Sequence, residues 1–374
     1  MTHNAEAAVS PIRYPAPGRG ISLSPRAAVY LSPADLLSGP LARGVVAAGR
    51  ARFLGGGERA FCCVYLAARA EAKVSVYRLA VAEAENLHPE ADAALAALAA
   101  PLPDFAGLTM DRPRVMGIVN VTPDSFSDGG ERFDRKTAVQ AGLAMAGAGA
   151  DIIDVGGEST RPGAEAVSPD EEIRRVVPVI RDLAERGLCV SVDTRHAAVM
   201  AAALAAGARI VNDIAALADP GAVAAVRDAG AAAVLMHMQG EPRTMQSAPS
   251  YAYAPLDVYD GLKGRLEACL AAGIRRENLC VDPGIGFGKT LEHNLSILRW
   301  LALYRALGVP VLLGASRKRL IAAACGDVPP KARLPGSLAI ALAGVHAGVN
   351  IVRVHDVAET VQAIRMQEAV DHAE

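Results

Sequence analysis

The sequence predicts an α/β protein, a (β/α)8 TIM barrel with a small N-terminal α/β appendage, and three observations predict it. Eight short runs rich in Val, Ile and Leu recur between Arg114 and His355. Each run passes into polar or glycine-rich residues and then into an Ala/Leu-rich stretch of helical composition. The pattern fills about 260 of the 374 residues, the length that eight strand–helix units need. Strands apolar on both faces are buried on both sides, and strand–helix alternation implies parallel pairing. An open doubly wound sheet would share that alternation, but the glycine-rich fingerprint expected after its first strand is missing.

Taken in order, residues 1 to about 20 are rich in Pro and Gly and are expected to fray. "RAAVYLS", "FCCVYLAAR" and "AKVSVYRLA" then read as short strands and "PEADAALAALAA" as a helix. Residues 1–100 therefore form the appendage, and nothing in it resembles a site. Residues 101–113, within "PLPDFAGLTMDRPR", read as a linker, and the barrel spans 114–374. Its strands are "RVMGIVNV", "DIIDVGG", "LCVSVDT", "ARIVNDI", "AAVLMHM", "LCVDPG", "VPVLLGAS" and "NIVRVHD". Ser168, Pro169 and Glu171 mark a helix start as a capping box with proline at the first helical position. Pro178 predicts a kink or an early break in that helix. "TLEHNLSILRWL" puts Leu291, Leu295 and Leu298 on one face, where core packing is expected.

Composition bounds the function. Hydrophobic residues make up 52% and aromatics 4%, so aliphatic side chains must fill the core. A net charge of −2 argues against a protein that coats nucleic acid. The six cysteines lack CxxC metal spacing and read as buried, reduced thiols of a cytoplasmic protein. The first residues hold no long apolar run, so no signal peptide is expected, nor any membrane span.

The polar residues are not scattered. Nearly every strand finishes in groups able to bond a ligand: Asn120, Glu158 to Arg161, Asp193, Asn212-Asp213, His237, Asp282, Ser316 to Lys318, and Arg353 to His355. In a parallel barrel those ends converge on one rim, where active sites of this fold lie. Each residue alone has a plainer reading. Asp213 and Asp356 suit turns or helix caps, His237 is either a ligand or a satisfied rim histidine, and the glycines of "VDPGIGFGK" suit a tight turn. Together, eight polar ends exceed what capping explains. Asp193, Asn212 and Asp282 supply acceptors and amide donors suited to a planar, nitrogen-rich heterocycle. Arg353, His355 and the loop after Asn120 suit a diphosphate, and Asn120 suits Mg²⁺, which takes few protein ligands. No zinc cluster and no Ser–His–Asp order is apparent.

"MGIVNVTPDSFSDGG", "DIIDVGGESTRPGA", "SVDT", "VNDI", "MHMQGEPRTMQ", "DPGIGFGKTLEHN", "GASRK" and "IVRVHD" together resemble the dihydropteroate synthase family, from about Val115 to about Met366. The resemblance implies a homodimeric barrel that joins 6-hydroxymethyl-7,8-dihydropterin diphosphate to 4-aminobenzoate, with Mg²⁺ assisting. It further implies that Asn120 meets the metal, Thr160 lies by the pterin diphosphate, and Asp193, Asn212 and Asp282 hold the pterin beside Lys318. Arg353 and His355 would bind the diphosphate, while Arg161, Pro162, Phe287 and Ser316 would shape the aminobenzoate pocket. "PDSFSDGG" and "ESTRPGA" resemble the family's two mobile loops. Ile285 departs from the family, which often has an aromatic there. A pterin-binding methyltransferase would share the Asp and Asn set but would need neither Lys318 nor the Arg353–His355 pair. A degenerate scaffold barrel would have lost some of these residues, and none is lost.

Overall fold

In this computed structural model the described residues are 8–15, 21–24, 26–121, 131–158, 167–241 and 244–373. The appendage contains β1 (Ala8–Val9), β2 (Ala28–Leu37), α1 (Gly39–Ala47), β3 (Arg52–Phe53), β4 (Ala60–Ala70), β5 (Lys73–Ala80), α2 (Val81–Ala84) and α3 (Pro89–Ala99). Its sheet runs β1-β5-β4-β2, with β3 also paired to β4. β4 is antiparallel to β2 and β5, and alternate residues such as Val64, Leu66 and Ala68 enter one core beneath α3. Within the stretch expected to fray, Ala8–Val9 instead form a short strand at the sheet edge. Ala8 and Val9 pair with β5, and Arg13 bridges to Tyr77. Pairing there satisfies backbone groups that the outer edge of β5 would otherwise expose.

The barrel follows as β6 (Arg114–Asn120), α4 (Glu131–Gly147), β7 (Ile152–Gly156), α5 (Pro169–Ala184), β8 (Val190–Asp193), α6 (Ala197–Ala205), β9 (Ile210–Asp213) and α7 (Ala222–Asp228). It continues through β10 (Ala232–Met236), α8 (Ala254–Ala271), β11 (Leu279–Asp282), α9 (Leu291–Arg299), β12 (Leu312–Leu313), α10 (Arg319–Cys325), α11 (Leu334–His346), β13 (Ile351–Val354) and α12 (Val357–Asp371). The eight strands β6–β13 pair in parallel in the order β11-β10-β9-β8-β7-β6-β13-β12. A bridge between Val281 and Val311 joins the two ends, so the sheet closes on itself. Val and Ile on the outer faces of the strands meet Val179, Ile180, Leu183, Val199, Leu262 and others from the helices in one continuous core.

Three local expectations are corrected by packing. α5 starts as expected, with the Ser168 hydroxyl accepting the Glu171 N–H at 3.3 Å, and of the kink or early break expected at Pro178 the break does not occur, since the helix continues to Ala184. Val179, Ile180 and Leu183 are all fully buried, and that burial outweighs the hydrogen bond Pro178 forfeits. On α9, Leu295 is 45% exposed, whereas Asn294 and Ile297 are buried. Asn294 turns inward because its side-chain oxygen accepts the Gly286 N–H at 2.7 Å, and this rotates Leu295 to the surface. All six cysteines are free, but only Cys189, Cys269 and Cys280 are buried, and Cys325 is exposed.

Residues 101–113 also do more than connect. Phe105 and Met110 pack against Met116, Ile152, Ile210, Val234 and Ile351, residues at or near the strand starts, and so plug the N-terminal end of the barrel. The appendage sheet sits against the barrel wall: Tyr30, Ala67, Val74 and Val76 cover Leu256, Trp300 and Leu303. At the edge of that patch Arg69 pairs with Asp257 at 2.7 Å and with Asp260. Among the described residues no helix is long and apolar enough to cross a membrane.

Candidate active site

The plugged end leaves the C-terminal strand ends as the open mouth, and the polar residues gather there. Asn120 ends β6, Asp193 ends β8, Asn212 lies in β9, Asp282 ends β11 and Arg353 lies in β13. Arg353 is the centre. Its Nε donates to Asp154 Oδ2 at 2.6 Å and its Nη2 to Asp193 Oδ2 at 2.6 Å. Asn212 Nδ2 donates to the same Asp154 oxygen at 3.0 Å. Three neighbouring strands, β7, β8 and β9, are thus tied across the barrel to β13. The two carboxylates push the Arg353 pKa further up despite its burial. Burial pushes the Asp193 carboxyl up, with Arg353 opposing.

Asp282 and Lys318 form the second half. The Asp282 carboxylate accepts the Gly284 N–H at 2.7 Å, which turns the loop after β11 back over the strand. That turn demands glycine. Gly284 has φ +66°, and a Cβ there would lie 2.0 Å from the His237 carbonyl oxygen. Lys318 Nζ donates to the Ile285 carbonyl and lies 4.5 Å from the centre of the Phe287 ring, a cation–π contact. Burial lowers the Lys318 pKa to about 8, with Asp282 opposing and Arg353 reinforcing. Burial raises that of Asp282, with Lys318 opposing. Ser316 is buried, and its Oγ lies 3.1 Å from His355 Nδ1 and accepts the His355 N–H at 3.2 Å.

Asn120, Asp193, Asn212, Asp282, Phe287, Ser316, Lys318, Arg353 and His355 therefore share one mouth. Thr160, Arg161 and Pro162, and most of both expected loops, lie outside the described residues. Asp213 caps a turn as expected, accepting the N–H groups of Ala215 (2.7 Å) and Leu217 (2.6 Å). Asp356 does not cap α12 through its side chain. It holds the Arg317 guanidinium instead, with Nε at 2.9 Å. His237 proves to be a satisfied rim histidine. Its Nδ1 lies 3.2 Å from Lys289 Nζ, and burial with that neighbour lowers its pKa to about 3.

Sequence reasoning missed Asp154 and Lys289. Asp154 is fully buried in β7, with Oδ1 unpartnered. The available signal was an acid in the middle of the apolar run "DIIDVGG", where only a partnered charge is tolerated. Lys289 is 3% exposed, and its Nζ is 2.9 Å from the Phe287 carbonyl and 3.2 Å from that of His237. It thereby clamps the loop that presents Phe287.

Asn120 and Asp193, whose Oδ2 also holds Arg353, offer oxygens on either side of Gly156, a donor set of the kind an oxygen-ligated cation takes. The missing Cβ of Gly156 leaves a gap flanked by Asp193 Oδ2 at 3.6 Å and Asn120 Oδ1 at 3.8 Å from the position that Cβ would take. Uncharged and carboxylate oxygens of this kind suit Mg²⁺.

Comparison with known proteins agrees with this architecture. The family model for pterin binding enzymes matches residues 116–355. Dihydropteroate synthase of Escherichia coli (strain K12) is 48% identical over 263 residues, which cover 70% of this chain and 93% of that protein. Dihydropteroate synthase of Mycobacterium leprae is 47% identical over 269 residues, covering 70% and 94%. A structure of Xanthomonas albilineans dihydropteroate synthase with 4-aminobenzoic acid superposes with a TM-score of 0.68 at 49% identity, covering 72% of this chain and 97% of that one. Another from the same organism, in complex with 7,8-dihydropteroate, gives a TM-score of 0.65 at 46% identity, covering 71% and 97%.

Proposed function

The chain belongs to the dihydropteroate synthase family of pterin binding enzymes, and from that premise we propose how its own residues divide the work. It is a transferase that condenses 6-hydroxymethyl-7,8-dihydropterin diphosphate with 4-aminobenzoate, giving 7,8-dihydropteroate and diphosphate. In our reading, Asp193, Asn212 and Asp282 hold the pterin through directional hydrogen bonds to its nitrogen-rich edge, with Lys318 beside it. Arg353 and His355 bind the departing diphosphate. Phe287 and Ser316, with Arg161 and Pro162, bound the aminobenzoate pocket, and Thr160 lies by the pterin diphosphate.

The observation that carries this division is the Arg353 guanidinium pinned between two carboxylates 2.6 Å away. A guanidinium whose position is fixed before substrate arrives spends no reorganisation energy when charge builds on the leaving oxygens. As the bond from the pterin methylene to diphosphate breaks, the methylene becomes a cation that the pterin ring delocalises, and Asp193 stabilises it electrostatically. The aniline nitrogen then attacks, forming the C–N bond, and the protonated amine so formed gives its proton to the released diphosphate or to water, so no strong base is needed. Excluding water from the mouth protects that cation from capture. Mg²⁺, with Asn120 among its ligands, would supply further positive charge to the diphosphate oxygens. The six free thiols support a cytoplasmic setting, and the family resemblance supports a homodimer.

The test is diphosphate release from purified protein given the pterin diphosphate and Mg²⁺, with and without 4-aminobenzoate. Amine-dependent release that disappears in Arg353→Ala and in Lys318→Ala is expected. Wild-type turnover in both variants would refute the division of roles.

A further inference from the structure

Beside the mouth lies a second constellation that the reaction does not use. Gly157 follows β7 directly, and a Cβ there would lie 2.8 Å from Val176 Cγ1 and 3.0 Å from Glu172 Cγ. Only glycine lets the strand end approach α5 so closely. Arg175 Nη1 secures the approach by donating to the Gly157 carbonyl at 3.0 Å. The result places Glu158 next to Glu172 of α5, and the turn after β8 brings His196 to the same point. One ligand atom from each of Glu158, Glu172 and His196 lies within 4.8 Å of the others.

The group is short of partners. Glu172 is fully buried, and neither of its oxygens finds a hydrogen-bond donor of normal geometry; burial raises its carboxyl pKa to about 7, with Thr194 opposing. His196 Nε2 is buried and without a hydrogen bond, 3.8 Å from Glu158 Oε2. A buried carboxylate without donors is costly, so such a group normally holds a proton or a cation. Among the described residues Arg195 supplies the cation on this cluster, reaching Glu158 at 3.1 and 3.2 Å, longer than the usual 2.7–2.9 Å of a charge-assisted bond, and Glu158 also accepts the Val167 N–H at 3.3 Å. Arg195 is held chiefly by Glu158, also faces Glu241, and is one-third exposed.

We propose that Glu158, Glu172 and His196 form a binding site for a divalent first-row transition ion, separate from the Asn120 position and alternative to Arg195 as counter-charge. Two carboxylates and an imidazole select Zn²⁺, Mn²⁺ or Co²⁺ over Mg²⁺, which avoids nitrogen ligands. Bonds of about 2.1 Å in a tetrahedral arrangement place ligand atoms about 3.4 Å apart, so the three side chains need to close by up to about 1.4 Å. The bound ion ties Glu158, the last residue before 159–166, to α5 and to the turn after β8.

The test uses the purified full chain with Mn²⁺ alone, counted by electron paramagnetic resonance, in the presence of excess Mg²⁺ to fill the Asn120 position. One Mn²⁺ per chain is expected, retained in Asn120→Ala and weakened at least tenfold in Glu172→Gln, with folding checked by circular dichroism. With Co²⁺ in place of Mn²⁺, the visible spectrum should change in His196→Gln, which reports imidazole ligation; should Glu172→Gln not fold, this variant decides alone. Absence of binding at millimolar Mn²⁺, equal binding by wild type and Glu172→Gln, or loss of the ion in Asn120→Ala would each overturn the proposal.

Discussion

Replacing Asp154 by asparagine should disable the enzyme although Asp154 is assigned no contact with substrate and acts through Arg353 and Asn212. Asp154 is fully buried and one of its oxygens serves both Arg353 Nε at 2.6 Å and Asn212 Nδ2 at 3.0 Å. Opposite charges about 4 Å apart in a medium of effective dielectric about 20 attract by about 4 kcal/mol. That agrees with the roughly 3–5 kcal/mol lost when one member of a buried pair is removed. Asparagine keeps the shape and one acceptor oxygen, so the cost falls near the lower bound, about 3 kcal/mol. If Arg353 is then held only from the Asp193 side, a similar amount disappears from transition-state stabilisation, on the order of a hundredfold in kcat/KM. Initial rates of diphosphate release over a range of pterin diphosphate concentrations, beside a urea melt of the same preparation, separate the two effects. A folded Asp154→Asn protein with wild-type kcat/KM would sink the idea that Arg353 works by being pinned.

Further outcomes follow from the same geometry. Lys318 loses its proton near pH 8 rather than at the ordinary 10.5, so kcat/KM should fall along an alkaline limb near pH 8; a profile flat to pH 9.5 would contradict its role as a cation. Because that folded-state pKa lies below the unfolded value, the unfolded chain holds the extra proton between about pH 8 and 10.5, and this group should make stability rise across that window, as urea melts at pH 8 and 10 would show. Gly284→Ala, with φ +66° and a backbone oxygen 2.0 Å from the new methyl, should cost about 3 kcal/mol in urea unfolding, since backbone cannot yield as a side chain can. Removing residues 1–100 bares Trp300, Leu303 and Leu256 and strips Arg69 from Asp257 and Asp260, so the truncated barrel should aggregate in size-exclusion chromatography. A monodisperse, active 101–374 fragment would show that the appendage is dispensable.

The sequence alone determined the barrel and most of its mouth. A strand buried on both faces must be apolar throughout, so the point where each run turns polar marks its end, and parallel connection puts every such end on one rim. That is why Asn120, Asp193, Asp282, Lys318 and Arg353 could be named before any coordinate. What the linear pattern could not carry is the pairing of groups distant along the chain. Asp154 lies mid-strand, and its meaning appears only when β13 brings Arg353 across the barrel from 199 residues away. Likewise, Leu295 faces solvent because Asn294 is called inward by the loop at Gly286, and Glu172 meets Glu158 only because Gly157 admits the strand end against α5. Residues 101–113 and the appendage had no periodicity that named their contacts, since a plug and a wall covering are defined by the surfaces they fill. Local backbone preference and burial period are written residue by residue; charge pairing and docking depend on three-dimensional distance, and the tertiary structure alone decided those.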